Sequence, residues 1–179
     1  DQIKRNRKMS SITPGEIKDE FVKSKMGIAG ISIEDATFPK RCSLYGGKHE
    51  LVSTEEMAGR VRAAKAATSA HPDFILIART EALIAGLGLE EALTRANAYE
   101  AAGADAILIH SKSKSASEVL EFAKVWKGKV PLVVVPTMFP NASVEQLHQS
   151  GFKIIIFANQ ALRAAVTAMR NQLQILRRE

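Results

Sequence analysis

Polar side chains that can bind ions or transfer protons follow a series of short apolar runs in this sequence. The runs cover residues 27–33, 73–78, 106–109, 130–135 and 153–158. The polar residues after them are Glu34 and Asp35, Arg79 and Glu81, His110 and Ser111, Thr137, and Asn159. If the runs are neighbouring strands, these carboxylates, cations and hydroxyls meet at one edge, where active sites of parallel α/β proteins are built.

The apolar runs predict strands of a parallel sheet, because they are continuous rather than alternating, as in strands buried on both faces. Serine followed three residues later by Glu or Gln predicts helix starts between the strands, and Gly103 predicts a helix end. The predicted N-terminal caps are Ser53 with Glu56, Ser115 with Glu118, Ser143 with Gln146, and Asn159 for the last helix. The chain therefore predicts five strand–helix units after a helix over about 16–26.

Two α/β architectures fit this alternation: a (β/α)₈ barrel of the TIM type and an open doubly wound sheet. Polar residues after nearly every strand favour the barrel, whose strand ends converge on one rim. No G-x-G-x-x-G fingerprint follows the first strand, which argues against the open sheet. A full barrel needs eight strands, so five units imply that three N-terminal units are missing from this sequence, that a partner supplies them, or that the fold assignment is wrong.

Composition excludes several classes of protein. The 179 residues contain a single cysteine, Cys42, which excludes an internal disulfide and favours a reducing, cytoplasmic compartment. No apolar run approaches the roughly 18 residues of a membrane helix, and residues 1–20 are polar. We therefore expect neither a membrane span nor a secretory signal.

Basic residues near the start contribute to the net charge of +6. They are Lys4, Arg5, Arg7 and Lys8. We interpret them as a solvated terminus, because no basic stripe with interleaved aromatic residues follows, and we expect no nucleic-acid partner. Residues 1–15 are thus an unassigned basic segment, and 16–179 are predicted to form a partial (β/α) barrel domain.

Four stretches of the chain resemble the isocitrate lyase/phosphoenolpyruvate mutase superfamily. They are GIAGISIEDATFPKRCS (27–43), IARTEALIAGLGLEEALTRANAYEAAGADAILIHS (77–111), VPLVVVPT (130–137) and ANQALRAAV (158–166). The resemblance covers roughly residues 15–170. It implies a (β/α)₈ barrel that uses Mg²⁺ and acts on small 2-oxo acids and enolates. The run 27–33 would then be the fourth barrel strand.

Within the superfamily, the phosphoenolpyruvate mutases and phosphonopyruvate hydrolases look closest. Phe38-Pro39-Lys40 resembles their gating loop, the run 79–86 resembles their Arg-x-Glu-Ala-x-Ile-Ala-Gly segment, and His110-Ser111 resembles their strand end. Lys40-Arg41-Cys42 also resembles the lyases, in which the cysteine is a catalytic acid, although the lyases continue with Gly-His. Cys42 stands where mutases commonly have Asn. A 2-methylisocitrate-type lyase therefore stays an alternative.

The resemblance implies a role for each candidate site residue. The catalytic residues would be Lys40 on the long loop that closes the site, Arg79 and His110, which suit a substrate with about three negative charges. Glu34 would hold waters of a Mg²⁺ shell, and Asp35 would support that shell or Lys40. Substrate-binding residues would be Cys42, Ser43 and Leu44 on the loop, together with Arg79 and Asn159.

The implied activity is the interconversion of phosphoenolpyruvate and phosphonopyruvate, with Mg²⁺ as cofactor. The alternatives are a phosphonopyruvate hydrolase, which releases pyruvate and phosphate, the lyase, and an inactive truncated barrel. The last arises because the family places its principal aspartate and its direct metal ligands on the first three units, and residues 1–26 do not resemble these.

The resemblance also implies a homo-oligomer, because family members are usually tetramers that often exchange a C-terminal helix. The predicted helix over 160–178 has a stripe of apolar side chains that could serve this purpose. The stripe consists of Leu162, Val166, Met169, Leu173 and Leu176. The same stripe could equally pack on its own barrel.

Overall fold

The described part of the chain comprises residues 29–40, 42–44 and 47–178 in a computed structural model. The basic segment 1–15 and the helix predicted over about 16–26 lie outside the described residues.

A parallel sheet of five strands organises the described residues. The strands are β1 (Gly30–Glu34), β2 (Ile75–Thr80), β3 (Ala106–Ile109), β4 (Leu132–Val134) and β5 (Phe152–Ile155). They pair in sequence order, and the register sets Glu34 beside Arg79 and Arg79 beside Leu108. Each of the five predicted strands is present, and their carboxyl ends lie along one edge of the sheet.

A helix follows each strand, so the described residues form five strand–helix units. The helices are α1 (Thr54–Ala67), α2 (Gly88–Ala101), α3 (Ser117–Val125), α4 (Val144–Gln149) and α5 (Gln160–Leu176). Among them, no helix combines the length and apolar character needed to cross a membrane.

Two of the predicted helix caps are formed as the sequence indicates. The Ser53 hydroxyl accepts a hydrogen bond from the Glu56 backbone N–H at 3.1 Å, and Ser143 accepts one from Gln146 at 3.0 Å. Gly103, just beyond α2, has φ +104°, a conformation that L side chains rarely adopt. Each of the two serine hydrogen bonds satisfies a backbone N–H that the first turn of a helix leaves unpaired.

Of the other two predicted caps, the Ser115–Glu118 cap is wrong, and Asn159 is confirmed in position only. Helix α3 begins at Ser117 with Ala116 at the cap position and no side-chain cap bond. The Glu118 carboxylate accepts a hydrogen bond from the Ser111 hydroxyl instead, so it is not part of a capping box. Asn159 occupies the cap position of α5, but its side chain makes no cap bond.

The hydrophobic core lies between the sheet and the helices. Leu76, Ala78 and Ile107 of the strands belong to one hydrophobic cluster with Met57 of α1 and Phe122 of α3, and all five are fully buried. Burial of one such large side chain contributes about 1.5–3 kcal/mol. This layer fixes the strand ends, and therefore the residues that follow them.

The opposite face of the sheet has a smaller apolar cluster at its centre, formed by Ala106, Leu108 and Val133. Elsewhere the same face is open, because Ile75 at the start of β2 is 43% exposed and Ile154 on the outer strand β5 is 39% exposed. A sheet face that is buried at its centre and exposed elsewhere is expected where the interior of a barrel is incomplete.

Candidate active site

Arg79, at the end of β2, is the centre of a cluster of polar side chains. Its Nε donates to Oε1 of Glu81 at 2.6 Å, and its Nη2 donates to the Ser43 hydroxyl at 3.0 Å. Nη2 also lies 2.7 Å from Nδ1 of His110, the residue that follows β3. The fork of the guanidinium therefore joins two strand ends and the loop after β1.

His110 lies between a cation and a carboxylate. Its Nδ1 is 2.7 Å from Arg79 Nη2 and 3.1 Å from Glu81 Oε1, and the residue is 6% exposed. Nδ1 can accept from Arg79 only when it carries no hydrogen, and can donate to Glu81 only when it carries one. The presence or absence of a hydrogen on Nδ1 therefore decides which of the two residues His110 bonds to.

Glu81 is a buried carboxylate that remains charged. Burial acts to raise its pKa, but hydrogen bonds from His110 and Arg79 and the charge of Arg79 outweigh it and lower the pKa to about 2. The sequence indicated Glu81 as a strand-end residue but gave it no role in the site. The structure makes it the anion that orients Arg79 and His110.

Glu34 and Lys40 form a second polar group beside Arg79. Lys40 Nζ lies 3.0 Å from one oxygen of Glu34, and Arg79 Nε lies 3.5 Å from the other. The Glu34 side chain is 13% exposed, whereas that of Lys40 is 67% exposed. The predicted loop lysine is thus adjacent to the predicted metal-shell carboxylate.

The loop that carries Lys40 folds back on itself. Ala36 and Leu51 form an antiparallel bridge, and the Thr37 backbone N–H donates to the Glu50 carbonyl at 3.0 Å. A cavity of about 160 Å³ lies beside these two arms and is lined in part by Glu81. Glu81 therefore belongs both to the Arg79 cluster and to the wall of the cavity beside the loop.

Asp35 lies on the opposite face of β1 from Glu34. Its carboxylate is fully buried and binds the Glu81 backbone N–H, the Tyr99 hydroxyl and the Arg95 guanidinium. The predicted support of Lys40 by Asp35 is not seen in the described residues, because Lys40 pairs with Glu34. A role of Asp35 in a metal shell stays a prediction.

The remaining candidate residues, Cys42, Leu44 and Asn159, are not part of the hydrogen-bonded Arg79 cluster. Cys42 is exposed and Leu44 is 38% exposed, both on the loop beside Ser43. The Asn159 side-chain oxygen is buried and, within the part of the chain that the structure describes, has no hydrogen-bond partner, so no such bond links it to the Arg79 cluster. Their roles in substrate binding stay predictions.

The described residues supply only part of the ligands that a bound metal ion needs. Among the residues that the structure describes, no group of three or more acidic, His or Cys side chains is arranged to hold one. Glu34 fits a contact through water, because Mg²⁺ is usually bound by one or two carboxylates and keeps several waters. The described residues thus suit the outer side of a Mg²⁺ site and do not complete its direct ligands.

A family model for phosphoenolpyruvate phosphomutase matches residues 19–177. The chain belongs to this phosphoenolpyruvate phosphomutase family. The match includes all five strand–helix units, so the resemblance drawn from the motifs is confirmed.

Similar proteins include both mutases and hydrolases. A phosphonopyruvate hydrolase of Variovorax sp. (strain Pal2) is 52% identical over 157 residues, which are 86% of this chain and 53% of that protein. A phosphoenolpyruvate phosphomutase of Streptomyces hygroscopicus is 42% identical over 153 residues, which are 86% of this chain and 49% of that protein. The chain spans about half the length of these curated relatives.

A solved structure of a phosphonopyruvate hydrolase in complex with oxalate and Mg²⁺ has a similar fold. It is 46% identical, with a TM-score of 0.81, over 93% of this chain and 57% of that one. Together with the parallel order of the five strands, this confirms the predicted fold class: the chain holds five units of a (β/α)₈-type barrel.

Proposed function

We propose that this phosphomutase-family chain forms one side of a site that interconverts phosphoenolpyruvate and phosphonopyruvate. The reaction moves a phosphoryl group between an enol oxygen and a carbon atom. The observation that carries the proposal is the Arg79 cluster, in which Glu81 holds the guanidinium so that Nη2 faces Ser43 and His110. A guanidinium in a fixed orientation suits the oxygens of a phosphoryl group.

We use the word rim for the side chains that follow the carboxyl ends of the strands, together with the loop after β1. The other residues of the rim would complete the recognition of the substrate. Phosphonopyruvate carries about three negative charges, and Arg79, His110 and Lys40 supply donors and cations to meet them. Lys40, on the loop, would also keep water from the reacting phosphoryl group when the loop closes. Ser43, Cys42 and Leu44 would contact the substrate from the same loop.

A Mg²⁺ ion would neutralise part of the substrate charge. The related hydrolase structure contains Mg²⁺ and oxalate, and in our proposal the Glu34 carboxylate, which lies beside Lys40, would hold a water of such an ion. Glu34 would then exchange part of its contact with Lys40 for that water. The direct ligands would come from residues beyond the described ones.

Hydrolysis of phosphonopyruvate to pyruvate and phosphate is the second candidate. It is favoured by the identity of 52% to the Variovorax hydrolase, against 42% to the Streptomyces mutase. The Arg79 cluster would serve both reactions, since both need the phosphoryl group held and its charge stabilised.

The two candidates are distinguished by their products. Phosphonopyruvate and Mg²⁺ are added to the 179-residue chain and, separately, to the whole protein from its source, and phosphorus NMR follows the mixture. Formation of phosphoenolpyruvate supports the mutase, and release of inorganic phosphate with pyruvate supports the hydrolase. If the whole protein forms neither product, both proposals are excluded.

The assembly and compartment of the protein are also proposed. Helix α5 has no buried residue, and Leu162 is 67% and Leu173 is 66% exposed. We propose that this apolar stripe packs against another copy in a homo-oligomer, a tetramer by family resemblance. The single cysteine leads us to propose a reducing, cytoplasmic location.

A further inference from the structure

We propose that Arg95 and Tyr99 of α2 are positioning residues for the rim, and that they act through the carboxylate of Asp35. Neither residue belongs to the Arg79 cluster. Both are buried in the helix layer, at 7% and 0% exposure. The effect on catalysis rests on the proposed function, whereas the effect on the geometry of the rim does not.

The Asp35 carboxylate joins α2 to the turn after β2. Its Oδ2 accepts from the Tyr99 hydroxyl at 2.7 Å and from Arg95 Nη1 at 3.1 Å. Its Oδ1 accepts from the Glu81 backbone N–H at 2.8 Å. Glu81 in turn orients Arg79, so the position of this turn decides where the guanidinium fork lies.

The same residues hold both ends of the loop that carries Lys40 and Ser43. The loop leaves β1 at Asp35 and returns at Val52, where the Val52 backbone N–H donates to the Asp35 carbonyl at 2.8 Å. Arg95 Nη1 donates to the Val52 carbonyl at 2.9 Å. One guanidinium and one carboxylate thus fix the distance between the two arms of the loop.

The charges make this arrangement specific. The side chains of Arg95 and Asp35 are 8% and 0% exposed, and Glu91 accepts from Arg95 Nε at 2.7 Å. A buried charge is costly unless it is paired and hydrogen-bonded, so the group has few alternative geometries. Burial and the adjacent Asp35 carboxylate raise the pKa of Tyr99, which keeps its hydroxyl a donor.

Tyr99→Phe tests the structural half of the proposal, because it removes one hydroxyl and little volume. Amide hydrogen exchange is measured on the 179-residue chain. We expect exchange in residues 35–52 and 81–82 to accelerate about tenfold, with β3 and α3 changed by less than about twofold. Phe122→Leu, in the same helix layer, is the control and should not accelerate the rim selectively.

A uniform acceleration of exchange in Tyr99→Phe would mean that Tyr99 has only a general structural role. Unchanged exchange at the rim would also overturn the proposal.

Arg95→Met and Arg95→Lys give a second comparison. Lysine retains a buried charge that can reach Asp35, so we expect Arg95→Lys to protect the rim better than Arg95→Met. Equal exchange in the two variants would contradict the assigned role.

Kinetics on the whole protein test the catalytic half. Misplacing the rim without removing a substrate contact should lower kcat about tenfold in Tyr99→Phe and leave KM within about twofold. A kcat equal to that of the wild type would overturn the positioning role. If the wild type turns over neither phosphonopyruvate nor phosphoenolpyruvate, the proposed function fails, and the exchange data still decide whether Arg95 and Tyr99 position the rim.

Discussion

Arg79 is the residue on which the geometry of the rim depends most. Its Nε is committed to Glu81, while Nη2 lies within 3.0 Å of both Ser43 Oγ and His110 Nδ1. Only a planar group with several donors can hold a buried carboxylate and still present a donor elsewhere. A lysine ammonium is a single point of charge, so it cannot divide its donors between two directions in this way.

We therefore expect Arg79→Lys to lower turnover of phosphonopyruvate by about 100-fold while the chain stays folded. The measurement is product formation by the whole protein at saturating substrate, with circular dichroism to confirm folding. Arg62→Lys is the matched control, because in the described part of the chain Arg62 pairs with Glu55 in an exposed ion pair at 2.6 Å. Turnover within a few-fold of the wild type would show that the fork is dispensable.

Glu81 gives the rim a defined dependence on pH. In the folded chain, hydrogen bonds from His110 and Arg79 and the charge of Arg79 lower the pKa of Glu81 to about 2, from the ordinary glutamate value of 4.5. Because the unfolded chain takes up the proton first, Glu81 stabilises the fold above about pH 4.5, and this contribution is lost as pH falls towards 2. Its size is on the order of 3 kcal/mol.

Glu81→Gln should remove that part of the pH dependence. Denaturant titrations between about pH 6 and pH 3 should show a smaller loss of unfolding free energy in the variant than in the wild type. Glu121→Gln, which removes an exposed carboxylate on α3, should retain the dependence of the wild type. Parallel curves for Glu81→Gln and the wild type would contradict the assignment.

At the residue scale, the sequence predicts the members of the rim better than their partners. Strand-end position was sufficient to find Arg79, His110 and Glu34, because parallel strands in register bring their carboxyl ends together. The role of Glu81 and the involvement of Arg95 were not predicted. The bond from Arg95 to Asp35 spans 60 residues of chain and depends on how α2 packs, which periodicity alone does not specify.

Helix starts show at the element scale why a local pattern sometimes fails. Ser53 and Ser143 each have one obvious partner, and both caps form. The segment 111–117 offers several serines, and Ser111, Ser113 and Ser115 each accept the backbone N–H two residues later. These competing local bonds delay the start of α3 beyond the predicted cap.

Asp105 connects three elements at the end of the sheet opposite the rim. Its carboxylate accepts from Lys65 of α1 at 2.8 Å and from the Leu76 backbone N–H of β2 at 2.8 Å, and it directly precedes β3. Loss of the carboxylate leaves a strand donor and an ammonium without their partner.

We expect Asp105→Ala to lower the free energy of unfolding by about 1–3 kcal/mol. Urea titration of the 179-residue chain is the measurement, and a lower midpoint with an unchanged slope is the expected result. Asp73→Ala, an exposed carboxylate just before β2, should change the midpoint little. Equal effects of the two substitutions would show that the bonds of Asp105 contribute nothing.

For the whole molecule, repeated units made the architecture predictable. Five apolar runs separated by helices define a parallel sheet in sequence order, and the connections between such strands are nearly always right-handed. The sequence could not show how the exposed side of this sheet is covered. Ile75 and Ile154 lie on that side, and what covers them depends on chain outside these five units or on another molecule.

Helix α5 carries more exposed large apolar side chains than any other described element. Its apolar side chains recur at alternating intervals of four and three residues, and the exposed ones include Leu162 and Leu173. A stripe with this spacing packs against a second helix of the same kind. The proposed homo-oligomer therefore has a specific site for disruption.

Leu173→Lys should shift the protein towards the monomer, because it places a charge in the middle of the apolar stripe. Sedimentation equilibrium of the 179-residue chain and of the whole protein measures the effect, and we expect association to weaken by at least about tenfold. Asn171→Lys is the matched control: it adds the same charge on the opposite side of α5, as the helical period of 100° per residue requires. Loss of association only in Leu173→Lys would place the contact on the apolar stripe. Equal loss in both variants would mean that the added charge alone is responsible. A monomeric wild-type whole protein would exclude the oligomer.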